Sequence, residues 1–311
     1  MSTQLSRRKF VSTLGSVAAV SLLPDRIGGA RNLAAAPAAS EIRFGYAAIT
    51  WGGNDVQAIK DVGEVGFRGI QLRSPILKDF GDKPKELASL LKKHKLEFVA
   101  LSGGGPRNDA YIAAEEIATQ VKHATFMRAA GGLYLQMTDS ARPKNRKPES
   151  KDFEALGRLL TEIGKRTADL GIPMAYHNHM GSLGEGPDEV DALMDAADPK
   201  YVKLLLDVAH YAQGGGDPAR AIRNHRDRIL FLHIKDVESV TPTAESRSNY
   251  RFVELGRGRV DLPGVFRALK EVKFRGWGIV ELDSVPDKSR TPKESAIISK
   301  KYIEDELRMK V

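Results

Sequence analysis

The strongest constraint on the fold is a regular alternation, from residue 40 onward, of short apolar runs with longer amphipathic stretches. The stretches, such as 110–130 and 153–170, carry apolar residues at the i, i+3, i+4 spacing of one helix face. The runs have the length and β-branched content of buried strands. The eight predicted strands are Ile42–Thr50, Gly69–Arg73, Glu97–Ser102, Gly132–Met137, Ile172–His177, Val202–Asp207, Ile229–Ile234 and Gly278–Leu282.

Helices between consecutive strands imply parallel pairing, because a crossover connection returns the chain to the same end of the sheet. Eight such units over residues 40–311 fit a single (β/α)8 TIM barrel of the α/β class. An open dinucleotide-binding sheet is disfavoured, because Ala47–Gly53 after the first strand lacks a G-x-G-x-x-G turn. Two longer loops, Thr138–Glu149 and Glu238–Arg251, follow strands and are candidate substrate lids on the barrel rim.

The first 39 residues predict an export signal instead of part of the barrel. Ser6–Phe10 contains a twin-arginine pair, Phe10–Leu23 is modestly apolar, and Ala34–Ala39 offers small residues for cleavage. This order resembles a twin-arginine signal, which carries folded proteins to the periplasm; the alternative is a basic, unstructured tail. The apolar run is short and interrupted by Ser, Thr and Gly, so no stable membrane anchor is expected after signal removal.

Charge and cysteine content narrow the function classes further. Residues 1–39 carry five basic residues against one acidic residue, so they contribute +4 of the chain's +8. The remaining modest charge gives little reason to expect a nucleic-acid partner. The sequence contains no cysteine, which excludes disulfides, thiol catalysis and thiolate metal sites. A small-molecule ligand is the expected partner, and association between copies of the chain is left open.

Metal-ligand residue types recur at the ends of the last four predicted strands. His177, Asp207, His233 and Glu281 lie one at each of these strand ends. In a barrel the carboxyl ends of all strands meet at one mouth, where active sites of this fold lie. Imidazoles and carboxylates without sulfur suit Mn²⁺, Co²⁺, Fe²⁺, Zn²⁺ or Mg²⁺. We therefore predict one divalent metal bound by these four residues.

Other polar residues at the same strand ends are expected around a substrate. Side chains alternate along a strand, so His179 shares a face with His177, and Lys235 shares a face with His233. His210 follows the sixth strand closely. We predict that His179, His210 and Lys235 surround the bound substrate.

Three further interpretations, each with an alternative, remain open in the sequence. Tyr46 and Trp51 are candidates for the apolar wall of a sugar pocket, with simple packing as the alternative. Arg257, in a Gly-Arg-Gly stretch, is a candidate for binding an anionic or polyol group, with a solvated arginine as the alternative. Lys235 beside a metal would be a usable base, because the metal's charge disfavours the ammonium form. Alternatively, Lys235 and Asp236 form an ion pair at the rim.

The ordered series of motifs resembles the xylose isomerase-like barrel superfamily of sugar isomerases, epimerases and dehydratases, and within it the inosose (2-keto-myo-inositol) dehydratase family. The resemblance covers essentially the whole chain after residue 39. The motifs that carry it are 49–55 (ITWGGND), 175–182 (AYHNHMGS), 206–210 (LDVAH), 215–218 (GGDP), 233–237 (HIKDV), 255–261 (LGRGRVD) and 276–281 (GWGIVE).

The resemblance implies one divalent metal at the barrel mouth and proton abstraction next to a ketone. His179, Lys235 and Glu281 are then the candidate acid–base groups. Loss of a β-hydroxyl after the abstraction is dehydration, whereas reprotonation is epimerisation or isomerisation. The epimerase relatives usually carry Glu where this chain has His177, and relatives often carry Glu at the position of Gln71. These departures favour dehydratase-type lyase chemistry over epimerisation.

Two rival readings follow from the same barrel. Apurinic-site endonucleases of the superfamily bind three zinc ions, but Gln71, Ser102 and Gln136 occupy strand ends where further ligands would be needed. The rival from another class is a non-catalytic periplasmic sugar-binding barrel. Export also suggests that the substrate is a periplasmic keto-sugar or keto-glycoside, because inositol catabolism by the dehydratase family is ordinarily cytoplasmic.

Overall fold

The computed structural model describes residues 42–106, 113–243 and 246–311. The predicted export signal, residues 1–39, lies outside these residues. Within them, eight parallel strands close into a barrel. They are β1 (Ile42–Ala47), β2 (Gly69–Arg73), β3 (Glu97–Ser102), β4 (Tyr134–Met137), β5 (Met174–His177), β6 (Val202–Asp207), β7 (Ile229–Ile234) and β10 (Gly276–Val280). Their order around the barrel is β1-β10-β7-β6-β5-β4-β3-β2.

Helices in the segments that connect the strands surround this barrel. They are α1 (Asp55–Val65), α2 (Leu77–Phe80), α3 (Pro84–Lys93), α4 (Ala113–Ala130), α5 (Ser150–Asp169), α6 (Pro187–Ala196), α7 (Val208–Gln213), α8 (Pro218–Asn224), α9 (Leu262–Glu271) and α10 (Pro292–Lys301). Short helical turns at 48–51, 74–76 and 302–306 complete the described helices. The predicted (β/α)8 TIM barrel is therefore confirmed. None of the described helices has the length and apolar character needed to span a membrane.

The differences from the predicted elements lie mostly at strand ends. The first strand stops at Ala47 and continues as a 3-10 turn, and the last strand runs from Gly276 to Val280, so Glu281 follows it directly. The two ends of the predicted loop at 238–251 belong to antiparallel strands β8 (Asp236–Ser239) and β9 (Tyr250–Val253), which pair as the β8–β9 hairpin. Strand ends are set by contacts with neighbouring strands, which local composition does not report.

The barrel interior is apolar below the mouth and is filled by side chains of alternating size. Large rings from Phe231 and Trp277 pack against small residues such as Ala100 and Ala175. Gly69 faces this filling, where a Cβ atom would lie 2.4 Å from Val99 Cγ2 and 2.6 Å from the Trp277 ring. The packed floor leaves the polar strand ends at the mouth as the place for chemistry.

Candidate active site

Four strand ends bring His177, Asp207, His233 and Glu281 to one point. One ligand atom from each lies within 4.8 Å of the others, and all four side chains are buried. The barrel register explains the meeting, because Asp207 pairs with His233 across β6 and β7, and His233 pairs with Ile279 across β7 and β10. The structure thus assembles the four residues that the sequence predicts as metal ligands.

Asp207 is held by the helix that follows it. Its Oδ1 accepts hydrogen bonds from the backbone N–H groups of Ala209 (2.9 Å) and His210 (2.8 Å) at the start of α7. Its Oδ2 faces His177 Nε2 and His233 Nδ1, each at 3.4 Å. Capping fixes the carboxylate and leaves one oxygen turned into the cluster.

The pKa values of the cluster residues show how strongly its carboxylates interact with the cationic and imidazole groups around them. Burial opposes ionisation of Asp207 and Glu281. The nearby imidazoles and the side chain of Lys235 outweigh burial and hold the pKa of both carboxyls well below the usual range. Burial lowers the pKa of His233, but the nearby carboxylates outweigh it and raise this pKa to about 9. Burial is the main reason that the pKa of His177 falls to about 4. A cation bound between the two buried carboxylates would therefore stabilise their ionised forms.

The residues present fit a divalent metal. Nδ1 of His233 is buried without a hydrogen-bond partner among the described residues, although Glu281 Oε1 lies 3.3 Å away and Asp207 Oδ2 lies 3.4 Å away. A buried ring nitrogen of this kind is normally satisfied. Imidazole nitrogen together with carboxylate oxygen is the donor set that Zn²⁺, Mn²⁺, Co²⁺ and Fe²⁺ accept.

Two buried glutamines, Gln71 and Gln136, connect the two histidines of the cluster through the ring nitrogens that do not face Asp207. Gln71 Oε1 lies 3.0 Å from His233 Nε2, Gln71 Nε2 lies 3.1 Å from Gln136 Oε1, and Gln136 Nε2 lies 3.0 Å from His177 Nδ1. The sequence pattern indicates for both glutamines only that a metal ligand is missing at their strand ends. Their place at the ends of β2 and β4 was the available signal, because it puts them at the same mouth as the cluster.

Lys235 is fully buried beside the cluster and is bound by carboxylates. Its Nζ lies 2.6 Å from Asp283 Oδ1 and 3.0 Å from Glu281 Oε1, and it lies 4.0 Å from the centre of the Phe252 ring. Burial opposes its charge, but the carboxylates of Glu281, Asp283 and Asp207 outweigh burial and raise its pKa above the ordinary value. These carboxylates favour the ammonium form of Lys235, and its use as a base beside a metal stays a prediction.

The predicted ion pair between Lys235 and Asp236 is not formed, because Asp236 faces the other way. Its two oxygens accept four backbone hydrogen bonds of 2.9–3.1 Å, from Val237, Gly256, Gly258 and Val260. A Cβ atom at Gly258 would lie 2.2 Å from Asp236 Oδ1, so glycine permits this close approach. Asp236 thus anchors the loop after the β8–β9 hairpin.

Replacing Asp236 with Ala is expected to lower the free energy of unfolding by about 3 kcal/mol, since four N–H groups lose their acceptor in a buried place. Asp236→Asn keeps one acceptor oxygen and should cost less. Urea denaturation of both variants measures the difference. Equal stability of Asp236→Ala and the wild type would show that the loop finds other acceptors.

His179 and His210 lie over the cluster, where they were predicted to meet a substrate. Their rings are 3.8 Å apart, and the His179 ring lies 5.5 Å from that of His177. His179 Nδ1 lies 2.7 Å from the carbonyl oxygen of Met180, which only accepts, so Nδ1 carries the hydrogen and Nε2 keeps a lone pair in the neutral ring. His179 is partly exposed, whereas His210 is buried and contacts Phe252 of the hairpin at 4.6 Å.

Three predicted substrate-binding residues are not brought to the cluster by any described contact. Tyr46 is buried on the helix-facing side of β1, where its ring meets Phe67 at 5.3 Å. Trp51 donates its indole N–H to Asp61 on α1 at 2.8 Å. Arg257 is about half exposed. Strand alternation turns Tyr46 away from the mouth, so the packing alternative describes it better.

Comparison with known proteins places this geometry in context. The xylose isomerase-like TIM barrel family matches residues 59–305. The rhizopine catabolism protein MocC of Rhizobium meliloti is 29% identical over 280 residues, which cover 80% of this chain and 83% of MocC. The inosose dehydratase of Lacticaseibacillus casei is 28% identical over 297 residues, which cover 85% of this chain and 96% of that enzyme.

Solved structures share the barrel at lower identity. The IolI protein with a bound zinc atom superimposes with a TM-score of 0.71 at 20% identity, covering 85% of this chain and 97% of IolI. An L-ribulose 3-epimerase superimposes with a TM-score of 0.69 at 18% identity, covering 86% of this chain and 95% of the epimerase. At these identities the likeness establishes the fold.

Proposed function

Since this chain belongs to the xylose isomerase-like TIM barrel family, we propose that it is a divalent-metal-dependent enzyme that acts on a keto-sugar, keto-glycoside or keto-cyclitol. The reaction begins with removal of the proton next to the ketone and continues with loss of a β-hydroxyl as water. The observation that carries the proposal is the buried cluster of two carboxylates and two imidazoles, with an ammonium ion and a free imidazole nitrogen beside it.

The metal would be held by the carboxylates of Asp207 and Glu281 together with imidazole nitrogen from the cluster. When bound, it supplies positive charge that polarises a ketone oxygen and lowers the cost of removing the neighbouring proton. The barrel interior below the four residues is packed with apolar side chains, which exclude water from that side of the cluster.

His179 is the candidate base of the reaction. Its Nδ1–H is held by the Met180 carbonyl, so Nε2 is the atom that takes the proton. Glu281 is less suited, because its Oε1 lies near both Lys235 and His233 and its Oε2 lies 3.5 Å from Gln71 Nε2. Lys235, whose ammonium form is favoured by the carboxylates around it, is the candidate acid that protonates the departing hydroxyl.

The product is inferred from the relatives named as inosose dehydratases, one of which covers 85% of this chain. The same intermediate, if reprotonated on the carbon, would give epimerisation, which is the activity named for the L-ribulose 3-epimerase. We propose elimination, because Lys235 supplies a proton donor on the same side as the cluster. The twin-arginine pair at Arg7 and Arg8 supports a periplasmic location for the folded, metal-loaded enzyme.

The test is incubation of the purified protein in D₂O with Mn²⁺ and a panel of inososes and 3-keto-glycosides. We expect metal-dependent exchange of the proton next to the ketone and an unsaturated, dehydrated product, both abolished by a chelator. Exchange without dehydration would instead support epimerisation. If the protein holds no divalent metal and produces neither exchange nor product, the chain is a sugar-binding barrel and the proposal is wrong.

A further inference from the structure

We propose that Gln71 and Gln136 force the two histidines of the cluster into different roles. In this arrangement His233 offers its Nδ1 lone pair to the metal, whereas His177 keeps a hydrogen on Nε2 and donates it to Asp207. The metal is then bound by three protein side chains, Asp207, His233 and Glu281. This inference rests on the proposed metal site and specifies which residues form it.

His233, Gln71, Gln136 and His177 form a hydrogen-bond relay of three contacts. Each amide in it has one donor end and one acceptor end, as does each neutral imidazole. The contacts join His233 Nε2 to Gln71, Gln71 to Gln136, and Gln136 to His177 Nδ1, at 3.0, 3.1 and 3.0 Å. An amide presents its oxygen to one neighbour and its NH₂ to the other. All four residues are at most 3% exposed, so each amide end depends on the next one for its hydrogen bond.

Both histidines cannot offer an inward lone pair while the relay is intact. A neutral imidazole with a free inner nitrogen carries its hydrogen on the outer one and needs an amide oxygen there. If Gln71 and Gln136 both turned their oxygens to the histidines, their NH₂ groups would face each other at 3.1 Å. Two donors at that distance lose a buried hydrogen bond and repel each other. The favourable arrangements leave one inner lone pair and one inner N–H.

Glu281 selects which histidine has the lone pair. Its Oε2 lies 3.5 Å from Nε2 of Gln71, which favours the NH₂ end of that amide on the side of Glu281 and Gln136. Gln71 Oε1 then accepts from His233 Nε2–H, and the inner Nδ1 of His233 is the atom without a hydrogen-bond partner.

His177 receives the opposite pattern at the other end of the relay. Gln136 Nε2–H donates to His177 Nδ1, so the hydrogen of the neutral ring lies on Nε2, 3.4 Å from Asp207 Oδ2. A nitrogen that carries hydrogen has no lone pair for a metal. His177 is therefore a positioning residue, which orients the free oxygen of Asp207.

The experiment uses Zn²⁺ as the probe, with affinity measured by chelator competition and imidazole ligands counted by X-ray absorption. We expect one imidazole in the wild type. His177→Gln should lower zinc affinity by about 10- to 100-fold and retain one imidazole, as for a residue behind the ligands. The matched variant His233→Gln should lose affinity by more than about 100-fold, because it removes a ligand.

Gln71→Glu tests the relay itself, because a carboxylate accepts at both ends. It would accept from His233 Nε2–H and from the NH₂ of Gln136, and Gln136 could then turn its oxygen to His177 Nδ1–H. Both inner nitrogens would be free, so the zinc should gain a second imidazole. Added negative charge alone strengthens binding but does not change this number.

The possible outcomes distinguish failure of the inference from failure of the proposed function. Two imidazoles in the wild type, or only one in Gln71→Glu, would overturn the relay while leaving the metal enzyme intact. Equal losses of affinity in His177→Gln and His233→Gln would also overturn it. A wild type that binds no zinc would refute the proposed function and the relay together.

Discussion

Glu281→Gln is expected to lose the metal and the activity together. The variant keeps the size of the side chain but removes one of two carboxylates from a cluster that already contains the ammonium of Lys235, 3.0 Å from Glu281 Oε1. We expect metal affinity to fall by more than about 100-fold, since one ligand and one counter-charge disappear at once. Activity on the keto substrate should fall by about 10³-fold or more.

The measurement is metal content after dialysis, alongside turnover. His233→Ala should behave in the same way, because it removes the unpartnered nitrogen of the cluster. Glu254→Gln is the matched control: Glu254 is equally buried, but it pairs with Ser295 and Arg290 in the helical layer. Full metal content in both Glu281→Gln and His233→Ala would refute the predicted ligand set.

Lys235→Met is expected to lose activity but keep the metal, which separates an acid from a ligand. General acid catalysis contributes about 10²–10⁴-fold, so we expect kcat to fall within that range. Metal affinity should hold or rise, because a cation is removed from beside Glu281, Asp283 and Asp207, the last at 3.8 Å. The unbalanced carboxylates should also make the metal-free variant less stable, and added metal should raise its Tm more than it raises that of the wild type.

The control is Lys293→Met, which removes a partly exposed lysine that pairs with Glu64 on the outer surface. It should leave turnover and metal affinity unchanged. Loss of metal from Lys235→Met, or turnover within tenfold of the wild type, would contradict the role of Lys235 as the acid.

The export signal and the periplasmic location stay predictions, because the described residues begin at Ile42, and the metal ligand set stays a prediction as well. The fold itself was predictable, because helix and strand periodicities are local and recur eight times. The convergence of His177, Asp207, His233 and Glu281 was predictable for a related reason. Parallel strands carry their carboxyl ends to one mouth, so position along each strand was enough.

Other features depend on residues that are far apart in the chain. Lys235 meets Asp283 across 48 positions, and this residue, not the neighbouring Asp236, is the carboxylate that lies 2.6 Å from its Nζ. Tyr46 stands at a strand end but faces the helices, because its place in the alternation turns it outward. Partners and faces of this kind are set by packing around the closed barrel, which the neighbouring sequence does not encode.

The sequence by itself determined the barrel and the kinds of residue at its mouth, because periodicity and strand polarity are written locally. Only the tertiary structure decided which hydrogen-bond partner each of those residues has, and therefore which role each can take. Gln71 is 162 positions from His233 and 65 from Gln136, yet these contacts govern which ring nitrogen is free. The direction of a hydrogen bond depends on both partners, and the partners meet only when the barrel closes.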